Sequence, residues 1–117
     1  MATNYTLRID AGAHYFLTLW WEQPDGEPMK MNDYTARMML RKKYSDVTPL
    51  ISLTSDDNLT ITPAEGRVDI VITNIQSGLL SDSKEAKGVY DLEVESAEGI
   101  VTRLLDGEWI ASPEATK

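Results

Sequence analysis

Apolar and polar residues alternate along most of this chain of 117 residues. In Tyr5–Asp10, for example, Tyr5, Leu7 and Ile9 are separated by polar side chains. A period of two is typical of a β-strand with one face in a core and the other in water, whereas an amphipathic helix requires a period near 3.6 residues. The pattern therefore predicts a mostly β fold with less than about 15% helix.

The alternation recurs in short segments that turn-forming residues separate. These segments are Tyr5–Asp10, Tyr15–Glu22, Tyr34–Arg41, Leu50–Thr54, Leu59–Thr62, Arg67–Thr73, Tyr90–Glu95 and Ile100–Leu105. A further short stretch, Trp109–Ala111, follows a turn at Asp106-Gly107. Seven or eight mostly antiparallel strands at a spacing of roughly 8 to 12 residues indicate a β-sandwich or barrel, and we favour the sandwich. The predicted core contains Leu19, Ala36, Met38, Ile70, Tyr90, Leu92 and Val94.

Three connections can be predicted from the residues between these strands. Ser55–Asn58 is turn-forming, which favours a hairpin between Leu50–Thr54 and Leu59–Thr62. Ser96–Gly99 likewise predicts a hairpin after Tyr90–Glu95. Within residues 74–87 the period of two is lost, so we expect a turn or short helix that crosses between sheets.

The segment Tyr15–Glu22 is apolar on both faces. Tyr15, Leu17, Leu19 and Trp21 share one face, and Phe16, Thr18 and Trp20 share the other. This pattern predicts a central strand, or a strand whose outer face is covered by a loop or a partner chain. Because adjacent side chains of a strand point to opposite sides, one of Trp20 and Trp21 should be exposed in the isolated chain.

Size and charge limit the classes of function. A chain of 13.1 kDa matches a single domain over residues 1–117, with 112–117 as an exit tail, and its zero cysteines exclude disulfides. The N-terminus lacks a signal-peptide pattern, and no apolar run reaches membrane length, so we expect a soluble, unprocessed chain. A net charge of −8 argues against nucleic acid and anionic membranes as partners.

Residues for catalysis or for a cofactor do not form a recognisable pattern. His14 is the only histidine, and no nucleophile motif accompanies it. The acidic pairs and clusters lack the spacing of a calcium loop, and there is no glycine-rich phosphate loop. We therefore predict no enzyme, no cofactor and no metal site.

Interfaces are enriched in Trp, Met and Arg, which suggests candidate contact residues. The candidates are Trp20, Trp21, Met29, Met31, Arg37, Met39, Arg41 and Trp109. Core packing is the alternative for the aromatic and methionine side chains. Arg37 and Arg41 belong to the only basic cluster, which is interpreted as a solvated strand face or a contact with an acidic protein.

One motif points to an immunoglobulin-like sandwich. Gly88-Val89-Tyr90-Asp91-Leu92 resembles the stretch that enters the sixth strand of immunoglobulin domains, with Leu92 at the position of the cysteine. Tyr90 would then form a tyrosine corner, in which its hydroxyl bonds to nearby backbone. The equally weighted alternative is that Tyr90 is simply an inward-facing aromatic residue.

Three blocks taken together resemble small tail-associated structural proteins of tailed phages and prophages. The blocks are Leu19-Trp20-Trp21 with the loop after it, Tyr34–Arg41, and Gly88–Val94 running on to Val101–Gly107. They are similar to the immunoglobulin-like modules of baseplate and upper-fibre proteins. The ending, Gly107–Thr116, resembles the closing strand and exit of that family, with Ala115 where a valine is usual.

The resemblance implies a virion structural or adaptor protein, made in the bacterial host cytoplasm. Its partners would be other virion proteins, and it would form a homo-oligomer or a symmetric repeat in the particle. Baseplate, tail tip, fibre attachment and capsid decoration all remain open. The alternatives are a carbohydrate- or receptor-binding module that uses Trp20 or Trp109, and an acidic inhibitor that mimics nucleic-acid charge.

Overall fold

Nine strands form two sheets in a computed structural model that describes residues 2–115. They are β1 (Thr3–Asn4), β2 (Leu7–Asp10), β3 (Tyr15–Trp20), β4 (Thr35–Arg41), β5 (Ile51–Thr54), β6 (Leu59–Thr62), β7 (Arg67–Ile72), β8 (Ala86–Glu95) and β9 (Val101–Ser112). Helical structure within this range is limited to α1 (Asn74–Gly78) and a 3-10 turn (Pro63–Glu65). The prediction of a mostly β chain is confirmed.

The order of the strands identifies the fold. The larger sheet has the order β1-β9-β8-β4-β5, with β2 also pairing with β9, and the smaller sheet has the order β3-β7-β6. β1 and β2 run parallel to β9, and the other pairs are antiparallel. β4, β8 and β9 occupy the places of immunoglobulin strands C, F and G, and β3, β7 and β6 those of B, E and D. The predicted immunoglobulin-like β-sandwich is confirmed.

The core lies between the two sheets and is built from alternate strand residues. β4 and β8 bury every second side chain, as a period of two requires. Of the predicted core, Ala36, Met38, Ile70, Tyr90, Leu92 and Val94 are buried. Leu19 is only half-buried, because β3 lies at the edge of its sheet, where fewer neighbours cover it.

Apolar contacts hold the two sheets together, since the chain has no cysteine. Leu92 and Met38 are cross-strand partners on β8 and β4, and both are fully buried. In antibody domains this region carries the inter-sheet disulfide and the tryptophan of strand C. Here the packing of aliphatic side chains replaces them.

The predicted hairpin between Leu50–Thr54 and Leu59–Thr62 is wrong. β5 pairs with β4 in the larger sheet, and β6 pairs with β7 in the smaller one. The Ser55 N–H donates to the Ala36 carbonyl at 3.0 Å, and the Ser55 hydroxyl accepts from the Ala36 N–H at 3.2 Å. These bonds keep the end of β5 on β4, so the turn that follows connects the two sheets. The hairpin of β8 and β9 is confirmed.

The predicted turn at Asp106-Gly107 is wrong, because β9 runs through these two residues without a break, from Val101 to Ser112. Gly107 has a φ of +146°, and a Cβ there would lie 2.5 Å from the Tyr5 carbonyl oxygen. The glycine therefore allows the N-terminal backbone to approach β9 closely. Ser112 also remains in the strand, opposite Asp10, and the predicted exit tail extends to Thr116 and Lys117 outside the described residues.

Tyr90 joins the N-terminal segment to the core. Its hydroxyl donates to the Tyr5 carbonyl at 2.7 Å, 85 residues away in sequence. A tyrosine corner would instead bond to backbone a few residues upstream, so that interpretation is wrong and the inward-aromatic one is correct. Burial raises the pKa of Tyr90 well above its ordinary value, which keeps the hydroxyl protonated as a donor.

The predicted crossing between the sheets is confirmed at α1. The Thr73 hydroxyl accepts from the Gln76 N–H at 3.2 Å, and the Gln76 side chain accepts from the Thr73 N–H at 3.0 Å, which forms a capping box. Ser77, fully buried, donates to the Ala13 carbonyl at 2.7 Å and accepts from the Gly12 N–H at 3.0 Å. These bonds fix the short helix against the turn that precedes β3.

Leu92→Ala should lower the free energy of unfolding by about 2 to 5 kcal/mol, because it leaves a cavity at the centre of the core. Leu79→Ala is the matched control, since Leu79 is 64% exposed. Urea denaturation of both variants measures the difference. Equal stability of Leu92→Ala and the unmodified chain would contradict the central position of Leu92.

Tyr90→Phe should lower the free energy of unfolding by about 0.5 to 1.5 kcal/mol, because it removes one hydrogen bond and keeps the ring. Amide hydrogen exchange should also become faster in β1 and β2, which the bond ties to β8. A variant with unchanged exchange in residues 3–10 would show that strand pairing with β9 alone holds the N-terminal segment.

Candidate protein-binding surface on strand β3

The outer face of β3 exposes two large aromatic side chains on a regular strand. Phe16 and Trp20 are 69% and 58% exposed, and Thr18 lies between them on the same face. Trp21 is half-buried and contacts Tyr34 edge to face, with ring centroids 6.2 Å apart. The prediction that one of the two tryptophans is exposed in the isolated chain is therefore confirmed, and the exposed one is Trp20.

β3 is an edge strand, which corrects the expectation of a central one. β7 pairs with one side of β3, and no strand within residues 2–115 pairs with its other side. The Trp21 N–H donates to the Gly66 carbonyl at 2.7 Å, so the backbone N–H and C=O groups of the odd-numbered residues in β3 point toward β7. The backbone N–H and C=O groups of Phe16, Thr18 and Trp20 therefore point away from the sheet. We call these three residues and their outward backbone groups the β3 surface.

The β3 surface lacks the features that usually protect an edge strand. Proteins blunt such edges with charged residues, prolines, bulges or short strands. β3 has the sequence Tyr-Phe-Leu-Thr-Leu-Trp, without a charge or a proline, and its pairing with β7 is regular over all six residues. The edge strands β5 and β6 are four residues long. β3 therefore offers a longer unpaired edge, together with exposed aromatic side chains.

The charges beside the β3 surface are paired with one another. Thr18 donates to Asp69 at 2.8 Å, and Arg67 contacts Asp69 at 3.1 Å and Glu65 at 2.8 Å. All of these groups lie on or next to β7, the neighbour of β3. Along β3 itself, a chain that approached the edge would meet apolar side chains and backbone groups rather than charges.

Two grooves open between β3 and the larger sheet. One of about 300 Å³ is lined by Thr3, Tyr5, Leu17, Thr18, Leu19 and Leu105. The other, of about 190 Å³, includes Trp20, Trp21 and Arg103 in its lining. The inner side chains of β3 are therefore accessible from the side of the sandwich, which explains why Leu17 and Leu19 are only half-buried.

Trp109 and Met31, two predicted contact residues, lie in the core and are fully buried. The Trp109 indole N–H donates to the Arg41 carbonyl at 3.0 Å. Gly88 is its cross-strand partner, and a Cβ on Gly88 would lie 2.6 Å from the indole ring. The glycine within the strand pattern was the sequence signal for this close contact. Trp109 cannot provide a surface for stacking on a sugar.

Arg37 and Arg41 do not form a free basic surface. Arg37 contacts Glu93 at 3.1 Å and Glu95 at 2.9 Å, and the hydrogen bond that Arg37 donates to Glu95 contributes most to raising the pKa of Arg37. Arg41 donates to the backbone carbonyls of Asp46 and Val47 at 2.8 and 3.0 Å. The other two candidates, Met29 and Met39, are half-buried.

Acidic residues on the outer face of the larger sheet are also partly paired with a basic side chain, that of Arg103. Arg103 lies 3.5 Å from Asp91 and 3.8 Å from Asp106. Burial, followed by the nearby charge of Glu93, raises the pKa of Asp91 above its ordinary value. This face therefore carries mixed charge, unlike the all-acidic surface that a nucleic-acid mimic would need.

Phe16 is a surface residue that was not among the contact residues predicted from the sequence. The available signal was its position two residues before Thr18 on the face that also carries Trp20. Its ring stacks with that of His14 at a centroid distance of 6.1 Å, so His14 also borders the β3 surface.

The described part of the chain also lacks two other kinds of functional feature. Residues 2–115 contain no group of three His, Cys, Asp or Glu side chains placed to bind a metal ion. Within the same range, no helix has both the length and the apolar character needed to cross a membrane.

Comparisons with known proteins add structural similarity only. No protein-family model and no curated protein matches the chain. Among solved structures it is similar to Tim-1, with 14% identity and a TM-score of 0.46 over 100% of this chain and 99% of that one. It is also similar to a chain of the ZIG-8-RIG-5 IG1-IG1 heterodimer, with 12% identity and a TM-score of 0.41 over 96% of this chain and 83% of that one.

Trp20→Ala should change the free energy of unfolding by less than about 0.5 kcal/mol, because the side chain is mostly exposed. Trp21→Ala should cost about 1 to 3 kcal/mol, because Trp21 packs against the core and Tyr34. Urea denaturation of the two neighbouring variants provides the comparison. Equal losses would mean that Trp20 contributes to the core rather than to a surface.

Proposed function

We propose that this chain is a non-enzymatic structural or adaptor domain of a tailed-phage virion and that it binds neighbouring virion proteins through the β3 surface. One observation carries the binding part: Phe16 and Trp20 are exposed on the outer face of an unpaired, uncharged edge strand. Exposed aromatic residues of this kind commonly supply the centre of a protein interface. The virion role itself rests on the resemblance of the three sequence blocks to tail structural proteins.

Protein rather than carbohydrate is the ligand that this surface fits best. Sugar binding by stacking needs aromatic rings grouped around one ligand beside polar groups. Phe16 and Trp20 lie four residues apart on an extended strand, which separates their Cα atoms by about 13 Å. The nearby carboxylate of Asp69 already accepts bonds from Thr18 and Arg67. An extended surface with free backbone groups suits a second polypeptide.

Trp20→Ala should reduce incorporation of the chain into particles by roughly 30-fold, because loss of a central interface tryptophan commonly costs about 2 kcal/mol. The test replaces the chain by the variant in the phage or prophage that encodes it, and mass spectrometry then counts copies per purified particle. Ile100→Ala is the control, since Ile100 is 65% exposed in the turn after β8 and belongs neither to the β3 surface nor to the lining of the two grooves beside it.

Two results would contradict different parts of this proposal. Purified particles that lack even the unmodified chain would contradict the virion role. Equal incorporation of Trp20→Ala and Ile100→Ala would contradict the β3 surface as the contact. A reconstruction of the particle would then locate the contact that replaces it.

A further inference from the structure

We propose that the β3 surface pairs with the β3 surface of a second copy of this chain, antiparallel and about a two-fold axis at Thr18. The inference rests on the proposed function in one respect, because it specifies the first partner of the same surface. It makes one continuous six-stranded sheet from the two three-stranded sheets, in the order β6-β7-β3 followed by β3-β7-β6 of the second copy.

The backbone of β3 is arranged for this pairing. Phe16, Thr18 and Trp20 direct their N–H and C=O groups toward the open edge, as the bond from Trp21 to Gly66 on the other side of β3 requires. With Thr18 on the axis, each of these residues meets a residue that also directs both groups outward. Three reciprocal pairs form, with about six backbone hydrogen bonds between the copies.

The side chains are complementary to themselves in the same register. Phe16 lies opposite Trp20 of the second copy, Trp20 lies opposite Phe16, and Thr18 lies opposite Thr18. Aromatic pairs and threonine pairs are among the favourable cross-strand combinations. On the inner face, Leu17 lies opposite Leu19 of the second copy. The half-buried leucines beside the lateral grooves are therefore covered by the partner strand.

Neighbouring registers lack this match. A shift of one residue places outward-facing aromatic residues opposite inward-facing positions, which would put apolar side chains on the wrong face of the combined sheet. A shift of two residues places Phe16 opposite either Thr18 or Glu22, and the aromatic pairs are lost. The register with Thr18 on the two-fold axis is thus the one that pairs the aromatic side chains of the two β3 strands.

Electrostatics permits the pairing despite the net charge of −8. β3 has no charged residue, and the charges of Glu65, Arg67 and Asp69, which lie on or next to β7, are paired within one copy. The approach of two β3 edges therefore opposes no unpaired like charges along the strand. The other strand edges lack this combination of length, neutrality and exposed aromatic side chains.

Sedimentation equilibrium of the purified chain between about 1 µM and 1 mM tests the dimer without any other virion protein. We expect a concentration-dependent monomer–dimer equilibrium. Thr18→Pro removes an N–H that points outward and is not used within the chain, so dimerisation should weaken about tenfold or more while the fold is kept. Thr18→Val retains the N–H and is the matched control, which should still dimerise. If Thr18→Pro does not fold, Thr18→Lys places two like charges at the axis instead.

Cross-linking locates the interface. The chain has no cysteine, so Thr18→Cys introduces a single thiol, which should form a disulfide-linked dimer under mild oxidation. Thr60→Cys, exposed on β6 at the opposite edge of the same sheet, should remain monomeric under the same conditions.

Three outcomes would overturn the proposal. They are a monomer at every concentration, a dimer that persists in both Thr18→Pro and Thr18→Lys, and cross-linking of Thr60→Cys in place of Thr18→Cys. A monomeric chain that still requires Trp20 for incorporation would leave the proposed function intact and assign the β3 edge to a different virion protein. Absence of the chain from particles would contradict the proposed function and leave the measured dimer unaffected.

Discussion

Apolar packing between the two sheets supports every other feature of this protein, because no cysteine is available to join them. β8 is central to that packing. It pairs with β4 on one side and β9 on the other, and it buries alternate side chains against the smaller sheet. Leu92 and Met38 lie where antibody domains have a disulfide and a tryptophan. The stability of the domain therefore depends on close packing of aliphatic side chains, and a cavity there weakens both sheets together.

The N-terminal segment depends on this core in a specific way. Tyr90 extends its hydroxyl from β8 to the carbonyl of Tyr5, and Gly107 lets the same backbone approach β9. Parallel pairing then places the segment on the larger sheet. As a consequence, the segment preceding β3 joins the larger sheet, and within residues 2–115 the outer edge of β3 has no partner strand. The surface proposed for assembly follows from where the first strand lies.

An unprotected edge of this kind is unusual for an isolated domain, since edge strands tend to associate with other chains. Its aromatic side chains and outward backbone groups are useful where association is the function. A symmetric pairing limits the contact to two copies, because each edge is used once and the combined sheet ends at β6 on both sides. Under the proposed function, a virion would repeat such a dimer as a unit, with the other faces available to different neighbours.

The period of two by itself determined the class of fold, most of the strands and six of the seven predicted core positions, because alternation along a strand follows from local backbone geometry. It also predicted that one of Trp20 and Trp21 would be exposed. Apart from the β8–β9 hairpin, which the turn residues Ser96–Gly99 predicted, only the tertiary structure decided which strands are neighbours. It placed β5 and β6 in different sheets and paired Arg37 with Glu93 and Glu95. It also buried Trp109 against Gly88, where a larger residue would clash with the indole ring. These outcomes depend on contacts between residues distant in sequence, and the alternation of a single strand carries no information about which other strand will lie beside it.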